Sequence, residues 1–347
     1  MNIGGVIIYT MANFFTNIIR RLLERRQLRR DNKLVCESKI ILGGDKFRFL
    51  DIGASGGILP RFFPYRGDIS FTGCEPDKRS LQELISSPSS KEFAEYNIVP
   101  SAVWSHSGKI EITFTRKPMC SSVYQPNTPF LAKFTDASRF DVIGKTEIAC
   151  STLDTLFAET AYSPDFIKLD LEGGEHAVLQ GAARTLQSCL GLHVEVSFQQ
   201  IRKNQPLFGD VSGVLRTSGF EFMDFVTLCR WSRDKYDGIG QLTFADALFL
   251  RSPEDVWDKL TAGSLAFSKA RSYLWLLLIY HRYDLALVFL DLVSQRPDIL
   301  STAITESARE LIVSRRRRFD RTSQWLRRFS LLHSIRSRSN ADIYYIY

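Results

Sequence analysis

The sequence predicts an α/β protein built on a mostly parallel sheet, and two stretches carry this prediction. In the first, the apolar run 47–52 ends in a turn with glycines at 53, 56 and 57. In the second, the apolar run 166–169 ends in Asp170 and in glycines at 173 and 174. Buried parallel strands are nearly continuous apolar runs, and ligands bind at their carboxyl ends. These two turns are therefore the expected ligand site.

The remaining elements follow in order along the chain. Further strands are predicted at 70–74, 96–103, 109–114, 192–196, 220–225 and 242–250. The β–α alternation ends near Arg251, and helical apolar spacing then recurs at 265–280, 284–293 and 299–313. The predicted organisation is a basic amphipathic helix and linker at 1–37, a ligand-binding domain at 38–252, a helical extension at 253–340 and a tail at 341–347.

The charge of the chain is unevenly distributed. The net charge of the 347 residues is +7, but residues 1–30 contribute +5 and residues 301–347 contribute +6, which leaves −4 for the centre. A nucleic-acid enzyme usually spreads Lys and Arg along its binding face, so nucleic acid is not the expected partner. Six scattered cysteines without a C-x-x-C pair indicate a reducing compartment, with neither a zinc site nor a disulfide framework. The predicted location is the cytoplasm.

The N-terminal segment 11–30 has apolar residues on one half of a helix and Arg20, Arg21 and Glu24 on the other. Such a helix can lie on an anionic membrane surface or dock on the core of its own protein, and both alternatives stay open. No early positive charge marks a signal peptide. Charges within 273–290 argue against a membrane span there. A peripheral position at the inner membrane face is thus an alternative to a wholly soluble one.

The first turn predicts a cofactor site. Its glycines do not follow the G-x-G-x-x-G spacing that cradles a pyrophosphate, and Asp51 precedes them, which suits a cationic ligand such as S-adenosylmethionine. Glu75 ends the second predicted strand, where Rossmann-like sites place a carboxylate against ribose hydroxyls. Small Ser101 and Ala102 end the third predicted strand and are expected to form a wall of the adenine pocket.

The second turn predicts the active site. Asp170 and Glu172 follow a central strand, and Glu195 lies in the next one, so the three carboxylates are expected at one edge of the sheet. Crowded carboxylates can raise one another's pKa toward that of a general base, or hold a cation. The alternative is helix capping, which also applies to Glu175 and His176. The polar, turn-rich segment 116–145 has the character of a functional lid.

Several motifs together resemble the FkbM family of S-adenosylmethionine-dependent methyltransferases. They are FLDIGASGG at 49–57, CEPD at 74–77, VPSAV at 99–103, STLDTL at 151–156 and DFIKLDLEGGEHAVLQGA at 165–182. The resemblance covers about residues 45–252. It implies a seven-stranded Rossmann-like sheet of the class I methyltransferases, with its last strand antiparallel, and methylation of hydroxyl oxygens on sugars, glycans or secondary metabolites, as in polysaccharide biosynthesis.

The resemblance also assigns roles to residues. It carries cofactor binding onto Asp51, Gly53, Ala54, Ser55, Gly57, Glu75 and Ala102, and an active-site role onto Asp170 and Glu172. Two departures stand out. Family members often have Asn where this chain has Ser55, and an acidic residue near 104–106, where this chain has Trp104, Ser105 and His106.

The expected reaction is in-line methyl transfer to a hydroxyl of a small-molecule or glycan acceptor. Asp170 or Glu172 is the expected base, and Glu195 or His176 is the next choice. A divalent cation bridging Asp170, Glu172 and the acceptor is an alternative. A base-methylating enzyme would usually carry an N-P-P-Y-like tip after the strand that here ends in Asp170. The rival of another class is a binding or scaffold protein that acts through its basic ends and helical extension, which is also a candidate homodimer interface.

Overall fold

The computed structural model describes residues 35–160, 162–233, 238–328 and 342–345. The predicted amphipathic segment 11–30 and its membrane contact lie outside these residues. Among the helices that the structure describes, none combines the length and the apolar character needed to cross a bilayer.

The strands of the described residues fall into a main sheet and a smaller one. In chain order they are β1 (Phe47–Ile52), β2 (Ile69–Cys74), β3 (Glu95–Val99), β4 (Ala102–Val103), β5 (Gly108–Thr115), β6 (Val142–Ser151), β7 (Phe166–Leu169), β8 (Gly191–Ser197), β9 (Glu221–Trp231), β10 (Gln241–Leu250) and β11 (Asp342–Tyr345).

The α-helices alternate with these strands up to β10 and then follow one another. They are α1 (35–42), α2 (Lys78–Ser86), α3 (Thr128–Leu131), α4 (Leu153–Leu156), α5 (Glu175–Gln180), α6 (Ala183–Ser188), α7 (Phe208–Thr217), α8 (Pro253–Thr261), α9 (Ser268–Ile279), α10 (Tyr283–Val293) and α11 (Thr302–Arg328). A 3-10 helix, Pro60–Asp68, follows the first turn.

The main sheet has the order β11-β9-β10-β8-β7-β1-β2-β3. β1, β2, β3, β7 and β8 run parallel, whereas β10 is antiparallel to both of its neighbours, β8 and β9. This confirms the predicted seven-stranded sheet with an antiparallel last strand, to which β11 adds an edge strand within the segment expected as a tail. The order reverses between β1 and β7, and such a switch point opens a crevice at the carboxyl ends of the strands.

The strand predicted at 96–103 is wrong as a single element. β3 ends at Val99, and Ala102 and Val103 belong to a separate three-stranded sheet of order β4-β6-β5. Pro100 lies between the two pieces, and a proline has no N–H to continue a ladder of hydrogen bonds. Residues 142–145 of β6 belong to the segment that was expected to be irregular. The sequence did not predict a strand there because the residues of β6 are mostly exposed and show no apolar alternation.

Two apolar clusters cover the two faces of the main sheet. Successive residues of a strand point to opposite faces, and in β1 Phe47 and Phe49 join one cluster while Leu50 and Ile52 join the other. The first cluster includes residues of α1 and of α8 to α11, so the helical extension packs directly on the sheet. By the same alternation, Asp51 shares its face with Phe47 and Phe49.

A buried ion pair attaches the extension to the sheet. Nζ of Lys269 in α9 lies 2.7 Å from Oδ1 of Asp165, just before β7, and also donates to the carbonyl oxygens of Ser163 and Pro164. Both charged side chains are buried. Removing one partner of a buried pair leaves an uncompensated charge.

Replacing Lys269 with methionine is therefore expected to lower the free energy of unfolding by about 3–5 kcal/mol. Urea titration followed by circular dichroism measures this change. The matched control is Lys259→Met, because Lys259 forms a half-exposed pair with Asp255 at 3.6 Å and exposed pairs contribute about 0–1 kcal/mol. Equal losses in the two variants would show that the buried pair does not hold the extension in place.

Candidate active site

The turn after β1 is held against the tip of β7. Gly53 has φ 82° and ψ 53°, a left-handed conformation that glycine adopts without a steric penalty. Its N–H donates to the carbonyl oxygen of Cys74 at 3.1 Å. A Cβ built on Gly53 would lie 2.1 Å from the carbonyl oxygen of Asp170. The structure thus brings together the two turns that the sequence singled out.

Asp51 is fully buried beside a lysine that the sequence pattern did not single out. Nζ of Lys168 lies 3.1 Å from Oδ1 of Asp51 and 3.4 Å from Oδ2 of Asp170. Burial raises the pKa of Asp51 to about 7, and the Lys168 charge opposes that rise. Within the described residues, Oδ2 of Asp51 has no hydrogen-bond partner. This oxygen therefore keeps an unused capacity to accept a hydrogen bond, and the two carboxylates keep Lys168 charged by raising its pKa.

Glu75 lies at the end of β2, almost completely buried. Its Oε1 accepts a hydrogen bond from the N–H of Asp77 at 2.8 Å. Burial raises the pKa of Glu75, and the N–H groups of Asp77 and Ser55 oppose the rise. Glu75 and the glycine turn are therefore neighbours, as the sequence predicted.

The small residues of the predicted cofactor site are part of the protein's own packing. Ala54 and Ala102 are buried, and Ala102 packs with Ile110 and Cys150. The hydroxyl of Ser101 donates to the carbonyl oxygen of Ala102 at 3.1 Å. The adenine pocket wall expected at Ser101 and Ala102 stays a prediction.

A cavity of about 280 Å³ opens beside the glycine turn. Ser55, Gly56 and Gly57 line it on one side, and Phe71 and Tyr96 line it on the other. Neither Asp51 nor Glu75 belongs to its wall. The cavity is slightly smaller than the usual 300–1,000 Å³ range of small-molecule sites, and its position at the turn makes it an extension of the predicted cofactor site.

Three carboxylates converge at the edge of the sheet. One oxygen from each of Asp170, Glu172 and Glu195 lies within 4.8 Å of the others, and all three residues are partly buried. Asp170 is paired with Lys168, and Glu172 accepts a hydrogen bond from the Arg202 guanidinium. No ion pair links a described Lys or Arg to Glu195. Burial and the nearby Glu172 and Asp170 charges raise the pKa of Glu195 well above its ordinary value.

Glu175 and His176 lie outside this group of three carboxylates. Oε1 of Glu175, which is buried, accepts hydrogen bonds from the N–H groups of Leu171 and Gly173 at 2.7 and 3.3 Å. It therefore shapes the turn before α5, and its position in the first turn of the helix fits the alternative based on the helix dipole. His176 is half-buried on α5 and does not belong to the group of three carboxylates.

The segment expected to be a lid is anchored beside this group. The Ser122 hydroxyl donates to the carbonyl oxygen of Glu172 at 2.8 Å, and the Arg202 guanidinium donates to the carbonyl oxygen of Cys120 at 3.2 Å. The Asn127 side chain donates to the carbonyl oxygen of Gln200 at 2.6 Å. The segment forms one wall of the cleft, and opening of this wall stays a prediction.

Arg202 and the pair formed by His193 and Asp246 were also missed. Arg202 follows β8 in a stretch without a recognisable motif, so nothing in the sequence marks it as a partner of Glu172. Nε2 of His193 lies 3.4 Å from Oδ1 of Asp246 across β8 and β10. For His193 a signal existed, because it stands two residues before Glu195 and therefore on the same face of the strand.

Residues 51–222 match the sequence profile of the methyltransferase FkbM domain. The chain carries a methyltransferase FkbM domain. The match includes every site residue named from the sequence, and it confirms the resemblance and the expectation of S-adenosylmethionine as the cofactor. Comparison with curated proteins gives no significant match.

Solved structures similar to this methyltransferase include three with distinct substrates. Precorrin-6y C5,15-methyltransferase from Geobacter metallireducens has a TM-score of 0.32 and 10% identity, covering 62% of this chain and 88% of its own. Magnesium protoporphyrin IX methyltransferase from Synechocystis, with bound S-adenosylmethionine, has a TM-score of 0.33 and 11% identity, covering 69% and 85%. An rRNA methylase from Streptococcus thermophilus has a TM-score of 0.29 and 8% identity, covering 62% and 93%.

The Asp51 carboxylate predicts a pH dependence of cofactor binding in this methyltransferase. Its ionised form attracts the positive charges of S-adenosylmethionine, and with a pKa of about 7 it is ionised above and neutral below that pH. The affinity is therefore expected to fall as the pH drops through 7, by up to about tenfold for each unit. Isothermal titration at pH 6, 7 and 8 measures it, and Asp51→Asn should remove the dependence. An unchanged pH dependence in Asp51→Asn would place the titrating group elsewhere.

Proposed function

We propose that this protein transfers a methyl group from S-adenosylmethionine to a hydroxyl oxygen of a sugar, glycan or secondary metabolite. The observation that carries the proposal is Glu195, a partly buried carboxylate beside Asp170 and Glu172. Hydroxyls are weak nucleophiles at neutral pH, so their methylation benefits from a general base within hydrogen-bond reach. The two other carboxylates are held by Lys168 and Arg202. Glu195 is therefore the base in this proposal, in place of the expected Asp170 or Glu172.

The residues divide into a cofactor half, formed by Asp51, Gly53 and Glu75, and an acceptor half, formed by Asp170, Glu172 and Glu195. In the cofactor half, Oδ2 of Asp51 has no hydrogen-bond partner among the described residues, and the absence of a side chain on Gly53 lets the turn approach the Asp170 carbonyl oxygen. Glu75 is the proposed acceptor of hydrogen bonds from ribose hydroxyls. S-adenosylmethionine supplies the electrophilic methyl group. In this transfer Glu195 would accept the proton that the acceptor hydroxyl gives up as its oxygen takes the methyl group.

The first experiment measures binding and transfer in turn. Isothermal titration with S-adenosylmethionine and S-adenosylhomocysteine is expected to show binding of both. Labelled S-adenosylmethionine is then incubated with the full-length protein and with fractionated glycans, lipids, small metabolites and nucleic acids. Label should enter the glycan or small-metabolite fraction. If neither cofactor form binds, the scaffold alternative is favoured, and label in nucleic acid would overturn the choice of acceptor.

The three converging carboxylates also fit the alternative of a divalent-cation site, because oxygen ligands are those that Mg²⁺ and Ca²⁺ prefer. With Glu195 as a free base, the initial rate after EDTA treatment should stay within about twofold of the untreated rate, since no cation then supplies Lewis acidity. Loss of activity that Mg²⁺ restores would favour the cation and assign all three carboxylates to it.

The proposal extends to partners. The basic segment 11–30 is proposed to contact an anionic membrane surface, and deletion of residues 1–30 should then abolish co-sedimentation with phosphatidylserine vesicles.

The extension buries much of its apolar surface on its own sheet, including Trp275 and Phe289. A homodimer would therefore use what remains exposed, such as Phe267, Val288 and Val313. Light scattering after size exclusion tests the oligomeric state.

A further inference from the structure

Two buried hydrogen-bond donors beside the carboxylates have no partner in the described residues. They are Nε of Arg202 and Nε2 of Gln205, on side chains that are 1% and 2% exposed as residues. The same Gln205 side chain accepts a hydrogen bond through Oε1 from the N–H of Arg202 at 2.7 Å, so its orientation is set. A buried donor without a partner costs roughly 1–3 kcal/mol. A ligand oxygen at this place would remove that cost.

Both donors belong to the acceptor half of the cleft. The terminal nitrogen of Arg202 donates to the Glu172 carboxylate. Gln205 lies against the next residue along the turn, because a Cβ built on Gly173 would be 3.5 Å from its Cβ and 3.8 Å from its Cδ. The Gln205 side chain therefore packs on the same turn that carries Glu172.

Two aromatic rings complete this corner. Cδ2 of Tyr124 lies 3.5 Å from the same Cβ position on Gly173. Its ring centroid is 6.3 Å from that of Trp104, and both residues are half-buried. Trp104 packs so closely on the turn that a Cβ on Gly174 would lie 2.9 Å from its Cζ3. The two rings thus form a flat apolar surface beside the polar groups. This arrangement suits a ring-shaped ligand that carries oxygens at its edge.

We propose that the acceptor carries a second oxygen on the carbon next to the methylated hydroxyl, and that Glu172 and Gln205 hold this second oxygen. The inference rests on the proposed function, in which Glu195 receives the proton of the methylated hydroxyl. Oxygens of Glu172 and Glu195 lie within 4.8 Å of each other, so two hydroxyls on neighbouring carbons can each reach one carboxylate. The second hydroxyl donates to Glu172 and accepts from the amide of Gln205. Arg202 is a positioning residue that orients Glu172.

The site should therefore discriminate a vicinal diol from a single alcohol. A site built to hydrogen-bond a substrate hydroxyl rejects an analogue that lacks it, since the buried groups are then left unpaired. The probes are cis- and trans-1,2-cyclohexanediol and cyclohexanol, which share a ring and differ in the second oxygen. Saturation-transfer NMR on the full chain with S-adenosylhomocysteine bound should give at least one diol a signal about fivefold above that of cyclohexanol, the factor that one neutral hydrogen bond provides.

The variant Gln205→Glu keeps the oxygen that accepts from the Arg202 N–H and replaces the donating amide with an acceptor. The diol preference is expected to disappear in this variant, while the affinity for S-adenosylhomocysteine stays within about threefold, because the cofactor half is untouched. Gln187→Glu makes the same change at an exposed position of α6 and should keep the preference. A wild-type protein that treats the three probes alike, or gives a signal with none of them, overturns the inference, as does a diol preference that survives Gln205→Glu.

Failure of the inference and failure of the proposed function have different signatures. Titration with S-adenosylhomocysteine precedes the NMR experiment, and absence of cofactor binding would reject the methyltransferase proposal itself. Cofactor binding without diol preference would reject the second oxygen alone. Tyr124→Leu adds an independent readout, because loss of the aromatic wall should weaken all three probes by a similar factor and leave the diol preference in place.

Discussion

Replacing Gly53 with alanine is expected to weaken S-adenosylmethionine binding by more than about 100-fold, because two costs act on one residue. The left-handed conformation costs an alanine about 1–2 kcal/mol. The new Cβ would also lie 2.1 Å from the carbonyl oxygen of Asp170, a distance that backbone atoms can relieve only by moving apart. The Gly53 N–H is bonded to Cys74, so the displacement reaches both strands that hold the cofactor half. Isothermal titration measures the affinity.

A matched glycine separates this effect from a general cost of adding a methyl group. Gly213 lies within α7, where a Cβ meets no atom within 4 Å. Gly213→Ala should bind the cofactor normally and be as stable as the parent or more stable by about 0.5–1 kcal/mol, since alanine favours helices. If Gly53→Ala binds within about threefold of the parent, the turn does not form the cofactor cradle that its geometry indicates.

Replacing Glu195 with glutamine is expected to lower kcat by about 10²–10⁴-fold, the usual contribution of a general base. The amide keeps the size of the side chain and cannot receive the proton. The dissociation constant for S-adenosylmethionine should change little, because Glu195 belongs to the acceptor half. The rates are measured with the acceptor that the labelling experiment identifies.

The pH profile gives a second readout for this variant. Burial and the neighbouring carboxylates raise the pKa of Glu195, so the wild-type rate should fall with acidification at a pH above the ordinary glutamate range. A raised pKa means that the ionised base is present above it and lost below it. Glu195→Gln should lack this limb, and Glu221→Gln, an exposed control on β9, should retain it. Retention of the limb in Glu195→Gln together with its loss in Asp170→Asn would assign the base to Asp170.

The strands of the main sheet could be predicted from the sequence because strands that are buried on both faces consist of apolar runs. β1, β2, β7 and β8 were placed within a residue or two, and the antiparallel pair β9 and β10 was recognised as the closing strands. Predictions failed where a strand is very short or largely exposed. β4 has only two residues, both buried, and β6 has ten residues that are mostly exposed, so neither shows the sustained apolar pattern on which strand assignment rests.

The residues of the candidate site also divide into those that a local sequence pattern marks and those that no local pattern marks. Asp51, Glu75, Asp170 and Glu172 were named because each directly follows or ends an apolar run, which is a local signal. Lys168 carries a local signal too, since a lysine inside such a run is buried and must be paired, although its partners are set by the register of β1 and β7. Arg202 and Gln205 lie in a loop, and no local pattern connects them with Glu172.

By itself, the sequence determined that this chain has a glycine turn and carboxylates at the ends of parallel strands, because burial and turn chemistry are written in neighbouring residues. It also determined the family, since the motif around Asp170 is specific. Only the tertiary structure decided which of the three carboxylates have cationic partners. Lys168 and Arg202 come from different elements to pair with Asp170 and Glu172, and the charge of a buried group depends on partners that are distant in sequence. Glu195 has no ion pair with a described Lys or Arg, and it thereby moves from a secondary candidate to the proposed base.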